Sequence, residues 1–319
     1  MKGYIEQAYN GATEWWKYVL GFFLIFVVWQ IGASIQAVFV FLELKDQGLS
    51  EFEITSKLTD FETLMTTLEL NFNFFLLLLG FVFGFAAIIF TVKFIHQMRL
   101  KYIITSRNHI DWKRIFFSFG FVALLIIGST ALDYSLAPED FEYNFNLNKF
   151  LILAIIGILL VPIQTTFEEI LFRGYLLQGL GVAFKSRALS LIITSVLFGL
   201  LHIFNPEIGK LGYEALIVYI GTGFFLCILT LMDEGLELAI GFHAANNLLT
   251  ALLVTSDWTA FQTHSVLKYT GEPSLISNVY IPVLVIYPIL ILIFAKIYKW
   301  DNWKERLFGK VEAPKTESL

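Results

Sequence analysis

Apolar residues in this chain fall in long, nearly uninterrupted runs, not in the strict alternation of half-buried strands or the one-sided stripe of surface helices. Eight runs stand out, at 15–44, 70–96, 114–133, 149–172, 188–204, 213–232, 236–254 and 279–298. A spanning helix needs about 20 mostly apolar residues, because the hydrocarbon core is about 30 Å thick and a helix rises about 1.5 Å per residue. The pattern therefore predicts an all-α fold, a polytopic membrane bundle of about eight transmembrane helices. No stretch between the runs is long enough for a soluble domain. The expected organisation is helices 1–3 with their loops over 1–148, a core over 149–254, and the last helix with a polar, mobile tail over 255–319. The first run is too long for a signal-peptide core and lacks a clear small-residue cleavage site, so it is expected to remain as an uncleaved span.

Composition supports lipid as part of the solvent. Of the 319 residues, 57% are hydrophobic and 15% charged, and the mean hydropathy of +0.70 exceeds what a soluble domain of this size would bury. The net charge of −5 hides an asymmetry. With the N-terminus inside and eight spans, fourteen basic residues fall on the cytoplasmic side: Lys2, Arg99, Lys101, Arg107, Lys113, Arg114, Lys185, Arg187, Lys296, Lys299, Lys304, Arg306, Lys310 and Lys315. Five fall outside: Lys45, Lys57, Lys149, Lys210 and Lys268. Cytoplasmic loops carry the basic excess, and Trp15, Trp16, Trp112, Trp300 and Trp303 gather at the same interface, where indole rings prefer to sit. No nucleic-acid motif, phosphate-cradling glycine loop or Cys/His zinc spacing is present. The single Cys227 excludes an intrachain disulfide and reads as packing.

Candidate chemistry lies inside the runs. An ionisable side chain at mid-span costs at least about 2.5–3.5 kcal/mol, so each is a functional hypothesis by default. Three runs contain them: Glu168, Glu169 and Arg173 in the fourth, Phe198 and His202 in the fifth, and His243, Asn246 and Asn247 in the seventh. Glu169 and Arg173 stand at i, i+4, acid first, and can neutralise each other. Glu168 lies about 100° around the helix from Glu169 and must find another partner. His243 and Asn247, again at i, i+4, project an imidazole and an amide together, and His202 from another helix could join them. Any one of these groups is ordinary interhelical glue. Two acids, an arginine, two histidines and an asparagine in three apolar helices are more than packing requires.

In that order and spacing the motifs Glu-Glu-x-x-x-Arg, Phe-x-x-x-His and His-x-x-x-Asn resemble those of the CAAX-protease and bacteriocin-processing family (CPBP, or Abi) of intramembrane proteases, which includes the type II CAAX prenyl endopeptidases. The resemblance covers about 150–254. It implies an endopeptidase whose site opens to the cytoplasm, with Glu168 and His202 activating a water, His243 and Asn247 stabilising the oxyanion, and Glu169, Arg173 and Phe198 in orienting or supporting roles. The expected partners are a membrane-associated or lipidated protein or peptide substrate and the bilayer. The expected location is a bacterial inner (plasma) membrane with both termini cytoplasmic. A proton- or ion-coupled transporter is the rival reading, since carriers also place Glu, His and Asn in the membrane. Carriers commonly show repeated halves, whereas here the polar groups are confined to the second half of the chain. A non-proteolytic scaffold is the third reading.

The metal question stays open on these residues. His202, His243 and Glu168 with a water would make an acceptable zinc set. Asn247 favours a metal-free site, because its NH₂ donates hydrogen bonds whereas an amide is a poor zinc ligand beside available carboxylates. Depth raises a further question. By helical rise His202 lies about 21 Å from the start of its run near Ala188, but His243 only about 10 Å from Leu236. Uneven span edges, tilt or a bend at Pro162 must absorb the difference. His96, His109 and His264, at or beyond span ends, are expected to be interfacial or solvated, and Gly80-x-x-x-Gly84 permits a close helix approach without naming its partner.

Overall fold

The computed structural model describes residues 3–314; Lys2 and Lys315, counted above among the cytoplasmic charges, lie outside the described residues. Helices follow the eight runs: α1 (Trp15–Asp46), α2 (Leu70–Ile95), α3 (Trp112–Leu136), α4 (Leu147–Phe184), α5 (Arg187–Leu200), α6 (Ala215–Asp233), α7 (Glu237–Leu253) and α8 (Ile276–Tyr298). The chain is an all-α polytopic membrane bundle. Six of these helices are long and apolar enough to cross a membrane; α5 and α7, at 14 and 17 residues, are shorter than that. Helix α7 carries His243, Asn246 and Asn247, and α5 ends two residues before His202. Beyond Leu200 the chain turns through 201–205 and restarts at Pro206, whose ring supplies no backbone donor to continue a helix. Helix α4, by contrast, runs on through Pro162 and reaches 38 residues.

Helix α4 lies at the centre, packed on α2 and α7, while α7 also packs along α3, α1 along α2, and α5 along α6. Small residues set these approaches. A Cβ on Gly80 would come within 3.0 Å of the Ala33 backbone on α1, and one on Gly84 within 2.7 Å of the Phe167 ring on α4. The Gly80/Gly84 pair thus seats α1 and α4 on two successive turns of α2. The second contact packs the residue immediately before Glu168.

The bundle has two unlike ends. At one end meet the N-terminal segment, the 97–111 loop, the α6–α7 turn and the C-terminal segment. Arg107 bridges Asp233 at 2.9 Å and Glu237 at 3.0 Å, Arg114 pairs with Asp233 as well, and Arg306 donates to the Met232 carbonyl at 2.7 Å. Every described loop assigned to the cytoplasm by its charge lies at this end, as do Trp15, Trp16, Trp112 and Trp303, all exposed. At the opposite end a small sheet of order β1-β3-β2 joins the α3–α4 and α7–α8 connections: β1 (Phe141–Tyr143) pairs antiparallel with β3 (Leu267–Tyr269), and β2 (Val254–Thr255) parallel with it.

Two expectations are corrected. His96 is not interfacial but buried, with Nδ1 2.7 Å from the Ala12 carbonyl and Nε2 2.9 Å from the Tyr175 hydroxyl, because the N-terminal segment folds back over the end of α2. The segment after Trp303 is not loose as far as it is described. It forms a helix, Trp303–Phe308, anchored by buried Leu307 and Val311, and Val311 N–H donates to the Lys185 carbonyl at 3.2 Å. His109 is exposed, and His264 lies near the outer sheet with Nε2 2.8 Å from Glu69. Cys227 is buried beside Thr194.

Candidate functional site

The site is built on the middle of α4. Helical spacing points Gln164, Glu168 and Glu169 toward α7, and a π-helical stretch, Ile170–Leu176, follows at once. Such a stretch re-aims side chains and alters which carbonyls are bonded within the helix. The Tyr4 hydroxyl, from the N-terminal segment, donates to the carbonyls of Ile103 and Arg173, the latter at 3.1 Å. Arg173 is 1% exposed. Its Nη1 donates to Glu169 Oε1 at 2.9 Å, and its guanidinium carbon lies 4.0 Å from the centre of the Phe198 ring on α5. The i, i+4 pair expected from the sequence is therefore made, between two fully buried side chains.

Glu169 does more than neutralise Arg173. The same oxygen, Oε1, receives His243 Nδ1 at 2.7 Å, so arginine and imidazole converge on one carboxylate. Glu169 Oε2 and Arg173 Nη2 have no hydrogen-bond partner among the described residues. With Nδ1 committed, the other ring nitrogen of His243 faces Glu168: Nε2 lies 3.7 Å from Glu168 Oε2, too long for a direct hydrogen bond. Glu168, which sequence reasoning left without a partner, takes a hydrogen bond on Oε1 from Gln164 Nε2 at 2.6 Å. Its side chain keeps some exposure, 12%, where that of Glu169 has none. The two neighbouring acids are thus separated in kind, one locked in a buried ion pair and one held by an amide with an oxygen free.

His202 stands in the turn just past α5. Its Nδ1–H donates to the Phe198 carbonyl at 2.7 Å, which leaves the Nε2 lone pair available, and its ring stacks on Tyr219 of α6 with centroids 4.3 Å apart. Phe198 joins the two histidines, its ring 4.8 Å from His202 and 6.3 Å from His243. Glu168, His243 and Arg173 all lie close enough to act electrostatically on His202. Asn247 points at α4 one turn from His243, its Nδ2 donating to Gln164 Oε1 at 3.1 Å. Asn246 is exposed and donates to Asn247. Glu168, Glu169, Arg173, Phe198, His202, His243 and Asn247 are thus gathered around one stretch of α4.

Helix α7 begins inside the protein, beneath the 97–111 loop: Leu236 N–H donates to the Ile104 carbonyl at 2.8 Å, and Glu237 is fully buried against Arg107. Helix α5 begins at Arg187, which is buried and paired with Glu6 at 2.6 Å, beside exposed Lys185.

Two residues of this constellation were missed in the sequence. Gln164 carried a signal, an amide one turn before the glutamate pair in an apolar run. Tyr219 carried none, since an aromatic residue in a span reads as packing.

Among the described residues no three His, Cys, Asp or Glu side chains converge as a metal-binding group. His243 Nδ1 is bonded to Glu169 Oε1 and His202 Nδ1 to a backbone carbonyl, which leaves the Nε2 atom of each ring and Glu168 Oε2 without a hydrogen bond among the described residues.

These features define an integral membrane helix bundle with acids, imidazoles and carboxamides enclosed in its interior. Residues 147–249 match the family described as type II CAAX prenyl endopeptidase Rce1-like. Uncharacterized protein YyaK of Bacillus subtilis (strain 168) is 35% identical over 198 residues. The alignment takes in 61% of this chain and 63% of YyaK, leaving more than a third of each outside it. No solved structure matches the chain.

Proposed function

We propose that the protein is an intramembrane endopeptidase acting on a membrane-associated or lipidated protein or peptide, and that it works without a metal. The observation that carries this reading is the division of labour between the adjacent glutamates, Glu169 locked with Arg173 and His243, and Glu168 free of the arginine with His243 beyond hydrogen-bond distance. In the reaction Glu168 takes a proton from a water whose oxygen attacks the scissile carbonyl carbon. His202, through the free Nε2, shares the orientation of that water and the proton movement. Charge then develops on the carbonyl oxygen, and fixed donors in a water-poor site stabilise it more than the same donors would in bulk water. Asn247 donates from its NH₂, and His243 donates from Nε2 when it carries both ring protons between the two glutamates. As the C–N bond breaks, the departing amine takes the proton held by Glu168. The membrane is a bacterial inner membrane, with the basic end of the bundle, and so both termini, in the cytoplasm.

The test uses purified protein in lipid vesicles, offered a peptide library with and without a lipidated cysteine. Wild type is expected to cleave a subset, and Glu168→Gln, nearly the same shape without the base, to cleave none while remaining folded. Cleavage by the variant at the wild-type rate would refute the reading.

A further inference from the structure

Gln164 lies one helical turn before Glu168 and is 3% exposed, and both ends of its amide are used. Its Nε2 donates to Glu168 Oε1 at 2.6 Å, and its Oε1 accepts from Asn247 Nδ2 at 3.1 Å. Asn247 in turn accepts on Oδ1 from Asn246 Nδ2 at 3.1 Å. The chain has a polarity. An ionised carboxylate only accepts, so the group facing Glu168 must be an N–H, and the Gln164 carbonyl is then turned toward α7. A carbonyl there accepts only from the NH₂ of Asn247. The direction of a carboxamide is set by its partners, and here the sequence of partners begins at the carboxylate. Asn247 uses one N–H on Gln164 and keeps its second, while its own carbonyl is occupied by Asn246. Interhelical glue of the ordinary kind has no such requirement, because an amide pair holds two helices together in either orientation.

The geometry points to Gln164 as a positioning residue of the site: its buried amide spans α4 and α7, fixes which way Asn247 faces, and holds the base and the oxyanion donor as one unit. Its effect passes through Glu168 and Asn247, and the inference rests on the peptidase reading above.

The experiment is a double-mutant cycle on the full chain in lipid vesicles, with a peptide that wild type cleaves. Gln164→Met has similar volume and no hydrogen bonds. Its kcat is expected to fall about 10- to 100-fold, the range that about 1 Å of misplacement produces, with KM within about twofold. In an Asn247→Ala background the same substitution is expected to cost several-fold less, since the orientation it would disturb no longer exists. If Gln164→Met does not accumulate, Gln164→Asn replaces it with the same expected result, because its shorter amide reaches only one of its two partners. An unchanged kcat, a loss confined to KM, or equal losses in the two backgrounds would overturn the positioning role while Glu168→Gln remained inactive. A wild type that cleaves no peptide would overturn the peptidase reading itself, and the positioning role with it.

Discussion

Replacing Arg173 by alanine tests the structural half of the site. Arg173 and Glu169 are 1% and 0% exposed, and their hydrogen bond is 2.9 Å long. Removing one partner of a buried pair strands the other charge, at about 3–5 kcal/mol. The guanidinium also covers the Phe198 ring at 4.0 Å, so truncation opens a void beside α5. One feature softens the loss: His243 Nδ1 still reaches Glu169 Oε1, which places the expected cost near the low end, about 3 kcal/mol. At about 1.4 kcal/mol per factor of ten, that is about a 150-fold fall in the folded-to-unfolded ratio. The assay is the yield of monodisperse protein in detergent together with its unfolding transition. The double replacement Glu169→Gln with Arg173→Met removes both charges and is expected to recover most of the stability, because no buried ion is left alone. If Arg173→Ala accumulates normally, unfolds within about 0.5 kcal/mol of wild type and loses only cleavage, Arg173 belongs to the reaction and the reasoning is wrong.

Other expectations follow from the same structure. Single cysteines placed by Lys101→Cys and Glu139→Cys in a Cys227→Ser background are expected to label from opposite faces of the membrane, with position 101 cytoplasmic; labelling from one face would sink the topology. Purified active protein is expected to carry no stoichiometric zinc and to keep its activity after dialysis against a strong chelator, whereas activity lost on metal removal and regained with zinc would overturn the metal-free mechanism. Glu207, in the short helix Pro206–Leu211 between α5 and α6, is pushed above its ordinary value by burial, against the opposing hydrogen bond from Ala260 N–H. Its folded form therefore holds a proton more tightly than the unfolded chain, and stability falls as pH rises through that raised value. Glu207→Gln is expected to match wild type at low pH and to unfold at a higher temperature above it; a gap that stays constant or closes as pH rises would contradict this.

The bundle was largely legible because lipid imposes a length on apolar runs, and most of those runs became helices near the expected boundaries, though α4 continues to Phe184 where the run was read as ending at 172. The short helices α5 and α7 are where the pattern misled: the apolar runs over 188–204 and 236–254 became helices of 14 and 17 residues, shorter than a full span. The i, i+4 pairing of Glu169 with Arg173 followed from helix geometry alone. The tie between His243 and Glu169 did not, since it depends on how far α7 starts below the 97–111 loop, a tertiary fact. His96 illustrates the same limit. Position at a span end argued for solvent, but the fold brings the Ala12 carbonyl and the Tyr18 and Tyr175 rings against it. Gln164 was visible as a residue and invisible as a participant, because one amide in an apolar helix has many explanations until its two partners are seen.

The central claim, that Glu168 is the base of a peptide-cleaving site, is tested most directly by comparing membrane proteomes of strains carrying wild type and Glu168→Gln at equal protein levels. The account predicts that one or a few membrane-associated proteins accumulate uncleaved in the variant strain and that their new termini appear only with wild type. Identical sets of termini in the two strains, with both proteins folded and in the membrane, would contradict it.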